Sequence, residues 1–168
     1  MAKKRLLAVG YQGSRLYTLA KGHPAVELIG RGRTKAALGR AVEVLGSCEA
    51  DLVVLEGHGS LRDGAPIYWS SDKSDQCVEF KPPKLKAPAV ILSMCHGGSP
   101  AFVDAVRNTN VTVRVLGPIG QVYSGACAGL VHDVVEDFLN GASLHAAFTA
   151  AQARGNGVYA GADQWHLV

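Results

Sequence analysis

Two short motifs in this chain could do chemistry together. Leu55-Glu56-Gly57-His58-Gly59-Ser60 sets an imidazole between glycines, and Leu92-Ser93-Met94-Cys95-His96-Gly97-Gly98 carries a thiol. A free thiol with a pKa near about 8.5 is only a few per cent thiolate at neutral pH, so it needs a base or a positive charge beside it to act as a nucleophile. His58 is the candidate base: it would take the Cys95 proton and later return it to a leaving amine. That is the chemistry of a cysteine hydrolase. His96 is the rival base, but neighbouring side chains in an extended loop point apart.

Each motif follows a branched-aliphatic run, Asp51-Leu52-Val53-Val54-Leu55 in one case and Pro88-Ala89-Val90-Ile91-Leu92 in the other. Runs of this kind read as strands buried on both faces. In open α/β sheets, ligands bind at the carboxyl ends of the strands, where both motifs would fall. Cysteine is among the most buried residue types, so a lone Cys after a strand is ordinarily core. At Cys95 the following glycines and the upstream His-Gly favour the catalytic reading. Cys127 reads as a core residue of a helix, while Cys48 and Cys77 lie in or near loops as structural or incidental thiols. Trp69 and Trp165 read as packing residues.

The rest of the chain alternates strand and helix. Lys4 to Val9 reads as the first strand, followed by an irregular Gly-rich stretch, Gly10 to Gly32, with room for a small ribbon. Arg33 to Leu45 carries Leu38, Ala41, Val42 and Leu45 on one stripe and stops at Gly46, which predicts a helix. Between the motifs, Asp63-Gly64 signals a turn, and Ala65 to Ser70 and Cys77 to Phe80 read as strands of a small excursion. Ser99-Pro100 offers an N-cap and an N1 proline for a helix through Arg107. Asn110 to Leu116 reads as a strand, and Gly125 to Asn140 as the clearest amphipathic helix. Gly141 closes it, Ser143 caps a second helix, and Gln164 to Leu167 forms a last short strand.

Composition narrows the class. At 168 residues and 48% apolar content the chain fits one domain spanning residues 1–168, and disorder is excluded. No apolar stretch approaches the ~20 residues of a membrane span. Met1-Ala2-Lys3-Lys4-Arg5 is charged like a signal peptide, yet its apolar part is too short, so a cytoplasmic protein is expected. The four cysteines form no Cys-x-x-Cys pair and neither they nor the histidines show zinc spacing, so free thiols are expected, with no metal and no cofactor. His132 and His145 make no i, i+4 pair. Net charge is +3, but residues 1–40 carry nine Lys/Arg against one acid, Glu27, and the remainder eight against thirteen. This basic quarter reads as a solvated face, since no nucleic-acid motif accompanies it.

The order strand, His-Gly, small ribbon, strand, Ser-x-Cys-x-x-Gly, helix resembles the caspase-like fold of clan CD cysteine peptidases, and within it the CHAT domains of bacteria. Ser93-Met94-Cys95 and Gly98 stand where those domains carry Ser-Ala-Cys, two variable residues and Gly, and His58-Gly59 where they carry the catalytic His-Gly. Phe138-Leu139-Asn140-Gly141, Ser143-Leu144 and Ala150-Ala151-Gln152 are similar to the family's helix–Gly–helix ending, and Trp165 to the tryptophan of its closing strand. The resemblance covers roughly residues 50 to 168. It departs at Gly120-Gln121-Val122-Tyr123-Ser124, where only Val122 is retained. It departs also from metacaspases, which place an Asp two before the cysteine; here that position is Ser93.

The resemblance implies an α/β fold, a caspase-like three-layer sandwich whose mostly parallel central sheet is flanked by helices, with a small ribbon between the His and Cys strands. It implies a His58–Cys95 dyad, an oxyanion hole made by the N–H groups of Gly59 and Cys95, and substrate contacts from Ser93, Tyr123 and Ser124. The expected partner is a protein or peptide substrate, and a regulatory protein or self-association is expected to order the loops Ser60–Pro66, Ser70–Gln76 and Pro118–Ser124. Neither nucleic acid nor a membrane is expected. A bacterial defence effector is the implied role. A silent caspase-like adaptor and a small-molecule amidase or thioesterase remain the alternatives.

Overall fold

The computed structural model of the chain describes residues 5–10, 14–30, 34–47, 49–69, 76–122, 124–155 and 162–168. The apolar runs form a six-stranded sheet in the order β2-β1-β3-β7-β8-β9. Its strands are β1 Leu6–Gly10, β2 Val26–Gly30, β3 Leu52–Glu56, β7 Ala89–Ser93, β8 Arg114–Pro118 and β9 Trp165–Leu167. All neighbours pair parallel except β8 and β9. The runs β1, β3 and β7 are apolar up to their last residue because each face is covered. Leu7, Val9, Val53, Leu55, Val90 and Leu92 point into one core, and Leu6, Ala8, Leu52, Val54, Ala89 and Ile91 into the other.

The first core is closed by α2 (Lys35–Val44) and α3 (Pro100–Arg107), the second by α1 (Arg15–Ala20), α4 (Ser124–Leu139) and α5 (Leu144–Gly155). This makes three layers, helices on both sides of a mostly parallel sheet. Among the described residues no helix is long and apolar enough to cross a membrane.

A second sheet of three antiparallel strands, β4 (His58–Arg62), β5 (Ala65–Trp69) and β6 (Cys77–Glu79), lies between β3 and β7 in sequence. Asp63 and Gly64, at φ 51° and 80°, form the two-residue turn that closes β4 on β5. Positive φ at both positions matches the right-handed twist of the strands. Tyr68 faces the first core, fully buried, with its hydroxyl on the Glu56 carbonyl at 3.0 Å.

Several expectations are corrected. The stretch from Gly10 to Gly32 is not irregular: it holds α1, capped by Ser14, and the parallel edge strand β2. Ser60–Pro66 is not a loop but most of a hairpin, and His58 opens a strand. Ser99 occupies the N-cap of α3, but its buried hydroxyl makes no cap bond. The strand placed at Asn110–Leu116 begins at Arg114, because the Asn110 side chain folds residues 110–112 into a turn by accepting from Thr112. Cys48 and residues 70–75 lie outside the described residues.

Candidate active site

The site begins where the chain leaves the main sheet. β3 ends at Glu56 in register with Ser93, the last residue of β7. Gly57 donates its N–H to the Ser93 carbonyl at 3.2 Å, which ties the start of the His strand to the Cys strand. Beyond Ser93 the backbone turns tightly: Gly97 N–H reaches the Met94 carbonyl at 3.1 Å, and Ser99 N–H the His96 carbonyl at 2.8 Å. The turn presents Cys95 half-buried just before α3.

The two motifs meet through a glycine. A β-carbon on Gly59 would overlap the Cys95 carbonyl oxygen and press on Met94 Cγ at 3.0 Å and Phe102 Cζ at 3.2 Å. Only a residue without a side chain lets β4 lie so close to the cysteine turn. Gly98, the last residue of the Cys-x-x-Gly motif, has a similar constraint. Its N–H donates to the Pro118 carbonyl at 2.8 Å, and a β-carbon there would overlap the Gly117 carbonyl. The sequence motif thus records two places where backbone meets backbone.

The ladder orients Gly59. A two-residue turn makes Arg62·Ala65 a hydrogen-bonded pair, and alternation then leaves Leu61·Pro66 and Gly59·Tyr68 as non-hydrogen-bonded pairs. Pro66, which has no N–H, fits that position. By the same alternation the Gly59 N–H points away from β5, off the free edge of β4. Cys95 N–H donates to no acceptor among the described residues. Both groups called for in an oxyanion hole are therefore outside the sheet ladders.

His58 is half-buried and its ring stacks on Trp69, directly opposite in the ladder, with centroids 5.7 Å apart and planes 18° from parallel. The Cys95 sulfur is held by the main chain of Val122: it accepts from the Val122 N–H at 3.4 Å and donates to the Val122 carbonyl at 3.7 Å. The segment bearing Val122 is fastened in turn. Gly120 accepts from the His96 N–H at 2.9 Å, and the Ile119 N–H reaches the Gln164 carbonyl at 2.9 Å. Of the expected substrate loop Pro118–Ser124, residues 118–122 form a strap bonded across the cysteine turn rather than a mobile loop.

Cys127 lies in the first turns of α4, buried, with its thiol pushed up from 9.0 to about 12. Burial is the main cause and the neighbouring Cys95 adds to it, while a hydrogen bond from Trp165 works the other way. Cys77, Cys95 and Cys127 are free thiols. Ser93 is buried at the end of β7, beside Glu56. Glu56 is itself buried, and its carboxylate accepts the Ser14 hydroxyl at 2.6 Å. Tyr123 falls outside the described residues, and Ser124 enters only as the first residue of α4.

Three participants were missed by sequence reasoning. Val122 acts through its main chain, which no side-chain motif encodes. Trp69 packs against the first core as expected, but its stack on His58 shows only in their register. Glu56 sits in a recognised motif, yet nothing in the sequence joins it to Ser14, 42 positions away. Further along α4, His132, Asp133 and Glu136 hold ligand-capable atoms within 4.8 Å of one another, a grouping that the search for His pairs overlooked. Asp133 there also faces the Arg154 guanidinium at 3.6 Å.

No family model matches the chain. It is similar to translation initiation factor IF-2 of Thermoanaerobacter sp. (strain X514), with 33% identity over 108 residues, which is 61% of this chain and 15% of that protein. The chain thus spans a small part of the relative it matches.

Proposed function

We propose that the chain is a cysteine peptidase of caspase-like, CHAT-like type, working through His58 and Cys95. The observation that carries this reading is the seating of Gly59 against the Cys95 carbonyl, because it brings the strand that bears the imidazole onto the turn that bears the thiol. The His-strand, small-sheet, Cys-strand order on a mostly parallel sheet supports the same reading.

In the proposed reaction His58 accepts the thiol proton, and the Cys95 sulfur adds to the scissile carbonyl carbon. The oxyanion is received by the N–H groups of Gly59 and Cys95. As the C–N bond breaks, the imidazolium returns its proton to the departing amine, leaving an acyl thioester. Water, deprotonated by the same imidazole, then adds to that thioester and expels the thiol. No third acid is required. Ser93, Tyr123 and Ser124 are the proposed substrate contacts.

The grip of Val122 on the thiol supports a latent resting form, released when a protein partner or self-association moves the strap. A cytoplasmic effector in bacterial defence is the biological setting that this reading implies.

A cysteine-directed peptide electrophile, with mass-spectrometric mapping of the adduct, tests the assignment. The adduct is expected on Cys95, lost in Cys95→Ala and strongly slowed in His58→Ala. Peptide cleavage that survives Cys95→Ala at full rate would end this reading.

A further inference from the structure

The outer face of the small sheet continues directly from His58. In the antiparallel register His58, Ser60 and Arg62 lie opposite Trp69, Ile67 and Ala65, so all six share one face, with Cys77 beyond Trp69. The opposite face, through Gly59 and Tyr68, is committed to the cysteine turn and the core. On the outer face lies a hollow of about 220 Å³ lined by Ser60, Leu61, Arg62, Ile67, Trp69 and Cys77. Trp69 forms part of its wall and stacks on His58 at the same time.

We infer that this hollow binds the part of a protein substrate C-terminal to the cut, and that Arg62 selects an acidic side chain there. The inference rests on the dyad proposed above. The imidazole must reach the departing amine to protonate it, so the chain that leaves begins beside His58. β4 runs away from that point as the edge strand of its sheet, and among the described residues no further strand pairs with its outer edge. Ile67 and Trp69 give the wall an apolar surface. Arg62 takes part in no ion pair among the described residues, whereas Glu79, opposite Ile67 on the same face, is paired with Lys81 at 2.9 Å. Among the described residues of this face the uncompensated charge is positive.

Spacing fixes the position selected. Four residues separate His58 from Arg62, which at about 3.3 Å per residue is about 13 Å along the strand. A substrate extended beside β4 at the same rise brings its fourth or fifth residue after the cut, roughly, to Arg62. Because Arg62 is exposed, the expected selectivity is modest, roughly two- to fivefold for Asp or Glu over Lys or Arg at low salt, and it fades toward 1 M salt.

The test uses the whole chain and a mixed peptide library, with cut sites read by mass spectrometry for wild type and Arg62→Glu. Enrichment of acidic residues four to five positions after the cut, reversed by Arg62→Glu, is expected. Identical profiles for the two proteins would overturn the inference while leaving the peptidase reading in place. A second arm uses Cys95→Ala protein and fluorescent peptides of apolar residues with either Glu or Lys at those positions, measured for binding. An Arg62-dependent preference for Glu in a protein whose Cys95 takes no adduct from the peptide electrophile would keep the site and sink the peptidase. Equal binding of the two peptides, or none, would remove the site.

Discussion

Gly59 faces the carbonyl oxygen of Cys95 with no room between them for a methyl group. This contact is the mechanical link between the strand of the imidazole and the turn of the thiol. Gly59→Ala must therefore push β4 off the cysteine turn. The expected cost is about 1–3 kcal/mol of stability, as in other overpacked sites. Activity is expected to fall by roughly 10²-fold, because a shift of about 1 Å between reacting groups has that effect. A urea melt and a peptide-cleavage rate measured on the same preparation check both numbers. Unchanged values for the pair would mean that the contact does not position the dyad.

Ser14 and Glu56 form the second link, between α1 and the end of β3. The Ser14 hydroxyl donates to the buried carboxylate at 2.6 Å and its oxygen accepts the Tyr17 N–H at 3.0 Å, capping the helix. Ser14→Ala removes the cap and one donor to a buried carboxylate, which together cost about 1–3 kcal/mol. Glu56→Ala removes the acceptor. A double-mutant cycle on urea midpoints is expected to show non-additivity above about 0.5 kcal/mol, the mark of groups in direct contact. Simple additivity would show that the 2.6 Å bond contributes nothing separable.

How much of this was legible in the sequence follows from which forces shape each part. β3 and β7 stood out because burial on both faces demands unbroken apolar runs. β2 did not, because Val26-Glu27-Leu28-Ile29-Gly30 is a half-buried edge strand with an acid and a glycine in it. β4 was hidden for a different reason. His58-Gly59-Ser60-Leu61-Arg62 has little strand propensity, and pairing is imposed by the Asp63-Gly64 turn and by Tyr68 anchored in the core. At the site, His58 and Cys95 were readable as residue types beside glycines. The Val122 strap was not, since main-chain hydrogen bonds leave no signature in side-chain identity.

His96 provides a control on the identity of the base. Its φ of 61° places a non-glycine residue in the left-handed region, at a cost of about 1–2 kcal/mol. His96→Gly relieves that strain, and the added freedom of the unfolded chain offsets part of the gain. Stability is expected to stay level or rise by up to about 1 kcal/mol. If His58 is the base, cleavage by His96→Gly remains within a few-fold of wild type while His58→Ala is inactive. Loss of activity in His96→Gly, with its melting curve intact, would transfer the base to His96.

Cys127 makes alkaline stability a readout of the second core. Its thiol is held up at about 12 against an ordinary 9.0, by burial first and by Cys95 next. Below pH 9 the thiol is protonated in both the folded and unfolded states, and its contribution is fully present. Above pH 9 the unfolded chain gives up the proton while the folded chain keeps it, so stability drains away as pH rises toward 12. Cys127→Ala removes this drain at the cost of a small cavity, about 1 kcal/mol, beside Leu130 and Val131. Wild type is therefore expected to be the more stable protein at pH 8, with the gap between the two urea midpoints closing above pH 9 and reversing by pH 10.5. The same protonated, buried thiol should resist iodoacetamide in the native protein at pH 8 and react once urea unfolds it. Midpoints that run parallel across that range, or labelling of Cys127 in the native state, would show that the thiol is neither buried nor shifted as described.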